Sequence, residues 1–208
     1  MTTILAIETS THQGSVALLH GESLLFSESC GAGRSHSSLL FAVLERALQA
    51  VPEGARIDQI AVGLGPGSYA GVRIAIAAAT GFAIATGTEL VGLPSIAALS
   101  EGEYVALGDA RRSSYYYARV REGECMEGPT LFTAEEWAEK LHSTPLPILA
   151  SEEIAGLEPA PAIQLVYPSA ERLARLAAQG RSIAARGDLE PIYLREPHIT
   201  APKKIAGS

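Results

Sequence analysis

Residues 63–86 read GLGPGSYAGVRIAIAAATGFAIAT, and the way this stretch folds decides how the rest of the chain is arranged. Gly63, Gly65, Pro66 and Gly67 overlap and follow a short apolar run, Ile60 to Leu64, and Ser68 stands where a helix N-cap is preferred. From Tyr69 a series rich in small apolar residues continues to Gly87. The pattern is strand, glycine turn, helix. Glycines let the backbone turn tightly and approach a neighbour closely, and free N–H groups at a helix start attract anions. Two roles for the turn therefore stay open, a tight strand-to-helix connection or the cradle of an anion. Gly65, Gly67 and Ala70 also fit the dinucleotide pattern G-x-G-x-x-G/A. That pattern opens the first βα unit of its domain and needs an acid at the end of the next strand. Here a meander comes first, and Glu89 stands at the start of that strand. Gly71, Ala75, Ala78, Ala79 and Ala83 allow close approach of another helix, so burial inside the protein or against a partner is expected.

Composition narrows the class. The 208 residues suffice for one large domain or two small lobes. Hydrophobic residues at 47% and charged residues at 19% make an ordinary globular mix. A net charge of −7 argues against a chain that grips nucleic acid alone, because such proteins show a basic face. Cys30 and Cys125 form no C-x-x-C, which excludes a disulfide scaffold and a zinc ribbon. The start, MTTILAIETS, has no basic region and meets an acid early, unlike a signal peptide. The apolar run from Ile74 to Gly87, about 14 residues, falls short of the roughly 20 that span a bilayer. A soluble, cytoplasmic protein without membrane contact is expected.

Upstream, Thr3 to Glu8, Ser15 to Leu19 and Ser23 to Ser27 read as a β-meander, with a tight turn at His20-Gly21-Glu22. A loop, Gly31 to Ser38, leads into a helix reaching about Val51. Its stripe is Leu39, Leu40, Val43, Leu44, Ala47 and Leu48, with Phe41 off the stripe as the sign of a second apolar face. Downstream, Leu90 to Leu93 is a buried strand and Pro94 to Ser100 a short helix. At Tyr104 the pattern starts again: a strand to Gly108 ending on Asp109, a polar turn, a strand from Tyr115 to Arg121, and a third near Pro129 to Phe132. Thr133-Ala-Glu-Glu136 is a capping box that opens a helix to Leu141. Short strands at 147–150 and 163–166, a helix from Pro168 to Gln179 and an extended tail at 192–195 complete the chain, which ends in the basic run PKKIAGS. Each half places an acid at the end of its first strand, Glu8 and Asp109. The layout predicts an α/β protein of actin-like, ribonuclease-H-like kind, with duplicated βββαβα lobes at 1–103 and 104–208. In such folds two hairpins face each other across a cleft.

Several segments together resemble the TsaB (YeaZ) family, the non-catalytic partner of TsaD in bacterial tRNA modification. They are ILAIETSTHQGSVALL at the start, RSHSSLL at Arg34 to Leu40, GLGPGSYAGVRIAIAAATGFA, GDARRSSYYYA at Gly108 to Ala118, and PIYLRE at Pro191 to Glu196. The resemblance implies an actin-like fold and a part in making threonylcarbamoyladenosine next to the tRNA anticodon. It also implies a TsaD heterodimer through a helical seam, TsaE in a larger assembly, a homodimer when alone, and tRNA contact only through the complex. The catalytic relative carries a His-x-x-x-His metal pair where this chain has Ser95 and Leu99. A serine and a leucine cannot make that site, so no metal, no cofactor and no intrinsic activity are expected. The alternative is an enzyme of the actin-like superfamily, an ATP-dependent kinase or a glycoprotease-like peptidase.

The expected partner interface comprises His36, Leu39, Leu40, Val43, Tyr69, Arg73, Ile74, Ala77 and Ala78. Val43→Glu or Ala78→Glu is expected to abolish partner binding and leave the fold intact. Thr9, Ser10, Thr11 and Asp109 occupy the positions of a vestigial nucleotide contact, against the plainer reading of polar turns that satisfy their own backbone. His36 as a helix-entry residue and Tyr115, Tyr116 and Tyr117 as strand residues are the plain readings for those positions.

Overall fold

A computed structural model describes residues 1–31, 36–142, 145–159 and 161–194. Arg34, Ser35 and the tail from Arg195 onward lie outside the described residues. Two sheets carry the fold. The first contains β1 (Thr3–Glu8), β2 (Gly14–His20), β3 (Ser23–Cys30), β4 (Gln59–Gly63), β5 (Glu89–Leu93) and β11 (Ala185–Arg186), in the order β11-β5-β4-β1-β2-β3. The second contains β6 (Glu103–Asp109), β7 (Ser114–Arg121), β8 (Glu124–Thr133), β9 (Ile148–Ala150) and β10 (Ile163–Leu165), in the order β10-β9-β6-β7-β8. Each sheet begins as an antiparallel meander and then adds parallel strands on the other side of its first strand, β4 and β5 in one and β9 and β10 in the other. The two sheets therefore share one connectivity. That duplication defines the actin-like α/β class.

The alternation of β1 shows how the core is laid. Leu5 and Ile7 face α1 (His36–Gln49) and α2 (Tyr69–Thr86), in a cluster with Leu40, Val43, Ala47, Ala75 and Ala79. Ile4 and Ala6 face the opposite way, against α4 (Ala170–Ala178) and the 3-10 helix Ser95–Ala98. In the second sheet Val105 and Leu107 pack with Trp137 of α3 (Ala134–His142), while Tyr104 and Ala106 meet Ile96 and Leu99.

One feature of the chain path departs from the sequence division at 103/104. The helix read at 168–179 forms as α4, but its buried residues Leu173, Ala174 and Ala177 cover the first sheet, and β11 extends the edge of that sheet. Ser15 accepts the backbone N–H of Ala170 at 2.9 Å, tying α4 to the β2 end of that sheet. The reason is geometric. A helix stripe states that something must be covered, and only tertiary packing decides which sheet it covers.

Past β11 the chain crosses the front of the molecule as a strap. Leu189 packs in the α1–α2 core, the Ile192 N–H donates to the Leu64 carbonyl at 2.8 Å, and Leu194 packs in the second lobe.

Candidate functional site

The glycine turn is filled by the protein's own chain. The Ser68 N–H donates to the Ser10 carbonyl at 2.6 Å, and Thr9 Oγ1 donates to the Gly71 carbonyl at 2.8 Å. A Cβ on Gly67 would overlap the Ser10 carbonyl oxygen, and one on Gly71 the Thr9 carbonyl oxygen. Of the two roles left open by the sequence, the turn thus serves close approach, and the neighbour is the β1–β2 hairpin. Ser68 caps α2 as expected, accepting the Gly71 N–H at 3.2 Å.

That hairpin faces the β6–β7 hairpin across a cleft of about 620 Å³. Thr9, Ser10 and Thr11 line one side and Asp109 and Arg111 the other, so the structure brings the four proposed nucleotide-contact positions together. The polar groups of Thr9, Thr11 and Asp109 are committed, whereas the Ser10 hydroxyl is buried without a hydrogen bond of ordinary geometry. Thr11 Oγ1 donates to the Gln13 carbonyl at 2.9 Å. Asp109 accepts from the Arg111 N–H at 2.6 Å and from its guanidinium at 3.1 Å, and Glu152 lies 3.6 Å from the same guanidinium. The cation of the cleft is therefore held between two carboxylates.

Beneath the cleft Glu8 is fully buried. Its Oε1 accepts the Ser10 N–H at 2.5 Å, while Oε2 is enclosed without a hydrogen bond of ordinary geometry. Burial raises its pKa above the ordinary 4.5, outweighing the lowering influence of Ser10, Ser95 and Thr9. Ser95 is buried beside this carboxyl and accepts the Gly65 N–H at 2.9 Å. Ser95 thus supports the glycine turn from below.

The sign of the pH effect follows. The folded state prefers protonated Glu8, so the stabilisation is fully present below the unfolded-state pKa and is lost as pH rises through the folded value. Glu8→Gln is expected to gain stability relative to the wild type as pH rises above about 4.5. Urea unfolding of both proteins at several pH values checks this. Parallel curves would mean that folding does not raise the Glu8 pKa.

The second feature lies on the outer face of the first lobe. Three stripe residues of α1 (Leu40, Val43 and Ala47) and three of α2 (Val72, Ala75 and Ala79) point inward. A second stripe on each helix, one residue away, borders an apolar groove of about 670 Å³. Phe41, Leu44 and Leu48 form one wall; Ile74, Ala78 and Phe82 form the other. Leu39, Phe41 and Ile84 are exposed, Phe41 by 56% and Ile84 by 81%. Among the described helices α2 alone is long and apolar enough to cross a bilayer, and it lies on the sheet with only a narrow stripe buried.

The structure sorts the expected interface residues. Leu40 and Val43 are buried in the monomer and cannot meet a partner through their side chains, because they belong to the inward stripe. Leu39, Tyr69, Arg73 and Ala77 are exposed, and Ile74 and Ala78 are half-buried at the groove. His36 is the first residue of α1, and its side chain lies outside the described residues. Tyr115, Tyr116 and Tyr117 are all buried strand residues, and burial pushes the Tyr116 phenol up. Sequence reasoning missed Tyr193, which stacks on Tyr69 with ring centroids 5.6 Å apart. The only signal for it was an aromatic in an extended tail.

The fold and cleft define an actin-like two-lobed protein. Residues 30–189 match the family model described as TsaD, tRNA N6-adenosine threonylcarbamoyltransferase. The chain belongs to that family, on its TsaB (YeaZ) branch. An uncharacterized protein of Mycobacterium tuberculosis is 28% identical over 207 residues, 95% of this chain and 93% of that one. The tRNA threonylcarbamoyladenosine biosynthesis protein TsaB of Haemophilus influenzae is 31% identical over 128 residues, 57% of this chain and 53% of that one. Among solved structures, a Pseudomonas aeruginosa protein described as similar to the peptidase YeaZ superposes with a TM-score of 0.77 at 26% identity, over 94% of this chain and all (100%) of that one.

Proposed function

We propose that the chain is the non-catalytic partner subunit of a tRNA threonylcarbamoyladenosine-modifying complex, docking on the TsaD transferase through α1 and α2. The observation that carries this reading is the second, outward apolar stripe on both helices, which borders one apolar groove and leaves Phe41 facing solvent. An apolar groove between two helices suits the apolar face of a partner helix. A stable contact buries about 800 Å² per partner, within reach of two helices of 14 and 18 residues. The same face supports a homodimer when the chain is alone. TsaE joins in the larger assembly, tRNA is met only through the complex, and the compartment is the cytoplasm. The enzymatic alternative, a kinase or peptidase, has less support, because the cleft's lining cation, Arg111, is already paired with carboxylates.

Size-exclusion chromatography with light scattering tests the reading, on the chain alone and mixed with TsaD of the same organism. A heterodimer that replaces any homodimer is the expected result. Two unchanged peaks under matched salt and nucleotide conditions would refute docking.

A further inference from the structure

Arg73 differs from most described arginines, which face carboxylates: Arg46 pairs with Glu28, Arg119 and Arg121 with Glu103, and Arg172 with Glu101. Arg73 rests on an aromatic ring instead. Its Cζ lies 5.2 Å from the centroid of Tyr69 and its Nη1 donates to the Tyr69 hydroxyl at 3.0 Å, with Tyr193 stacked against that ring. The two rings stack at an interplanar angle of 30°. The Tyr69 hydroxyl holds the guanidinium in place where those arginines have a carboxylate. Tyr69 is 56% exposed and Tyr193 43%, so the cluster faces solvent.

The strap pre-organises it. Ile192 is bonded to the Leu64 carbonyl on one side of Tyr193, and Leu194 is packed in the second lobe on the other. The ring is therefore placed before any ligand arrives, which lowers the ordering cost of binding. Tyr69 and Tyr193 line the cleft between the lobes, Ile74 lines both that cleft and the α1–α2 groove, and Ala77, one turn on from Arg73, lines the groove, so the cluster lies where the cleft meets the rim of the groove.

We propose that Tyr69, Arg73 and Tyr193 form a receptor for a carboxylate side chain of the docked partner, at the rim of the helical seam. The proposal rests on the docking reading above. A guanidinium fork takes a carboxylate in a bidentate pair, and the bond to Tyr69 holds the fork in place. A single carboxylate suits the site better than a nucleic-acid backbone, because the chain's net charge of −7 opposes a polyanion.

The test is isothermal titration of the full chain against full-length TsaD of the same organism at low and high salt. Arg73→Ala is expected to weaken binding about tenfold at low salt and to flatten the salt dependence. Arg73→Lys keeps the salt dependence but loses part of the affinity, since an ammonium cannot fork. Tyr193→Ala loses about threefold through lost pre-organisation. All three side chains are exposed, and unchanged thermal melts establish that the variants fold. If the wild type binds, Phe41→Lys in the groove does not, and Arg73→Ala matches the wild type in affinity and salt slope, the receptor is overturned while docking stands. A weaker Arg73→Ala with an unaltered salt slope overturns the carboxylate in favour of simple packing. If the wild type itself fails to bind, the docking reading and the receptor fall together.

Discussion

Gly71→Ala is expected to destabilise the protein by about 3 kcal/mol, whereas Gly81→Ala, further along the same helix, is expected to stabilise it by up to about 1 kcal/mol. Helix propensity favours alanine at both positions. At Gly81 a Cβ meets nothing within 4 Å, so propensity decides the sign. At Gly71 the Cβ collides with the backbone carbonyl of Thr9, which has no rotamer to escape into, and relief requires moving the hairpin. That movement also breaks the Thr9 hydroxyl bond to the Gly71 carbonyl. Urea unfolding of the two variants gives the comparison directly. If Gly71→Ala proved as stable as the wild type, the hairpin would not be the neighbour the glycine accommodates, and the anion cradle would again need an explanation.

This pair also shows where sequence reading stops. The turn at 63–71 was legible as a place of close approach, because glycine spacing and a serine cap are local signals. What approaches it was not legible, because Thr9 and Gly71 are far apart in the chain and only the parallel pairing of β1 with β4 brings them together. The strands followed the same rule. The strand from Thr3 to Glu8 and the capping box at Thr133 are written locally and were read correctly. The assignment of α4 to the first sheet is not local, and β11, two residues long, has no period to read. In α1 two stripes lie side by side, 40-43-47 and 41-44-48, each with helical spacing. Hydrophobicity marks both, and only the position of the sheet tells which one is buried. The tail is a similar case: nothing in PIYLRE announces that its tyrosine stacks on Tyr69.

The two stripes lead to the sharpest expected contrast. Phe41→Lys is expected to leave stability within about 0.5 kcal/mol of the wild type, because the side chain is an exposed one and Glu45, one turn on, accommodates the charge. The same change places an ammonium in the wall of the groove. Truncating or charging a central aromatic anchor typically costs about 2 kcal/mol or more, so the affinity for TsaD is expected to fall by about thirtyfold or more. Val43→Glu behaves in the opposite way. The sequence suggested that it would spare the fold, but Val43 is only 3% exposed and packs with the inward cluster of Leu5, Ile7 and Leu40. A carboxylate there has no counter-charge among its neighbours, and an unpaired buried charge costs several kcal/mol. Val43→Glu is therefore expected to unfold the chain, and any loss of partner binding would follow from that. Thermal melts and titration against TsaD on the two variants separate the effects. A folded Phe41→Lys that binds as tightly as the wild type would remove the groove from the docking surface. A folded Val43→Glu that fails to bind would mean that the inward stripe, not the outward one, meets the partner.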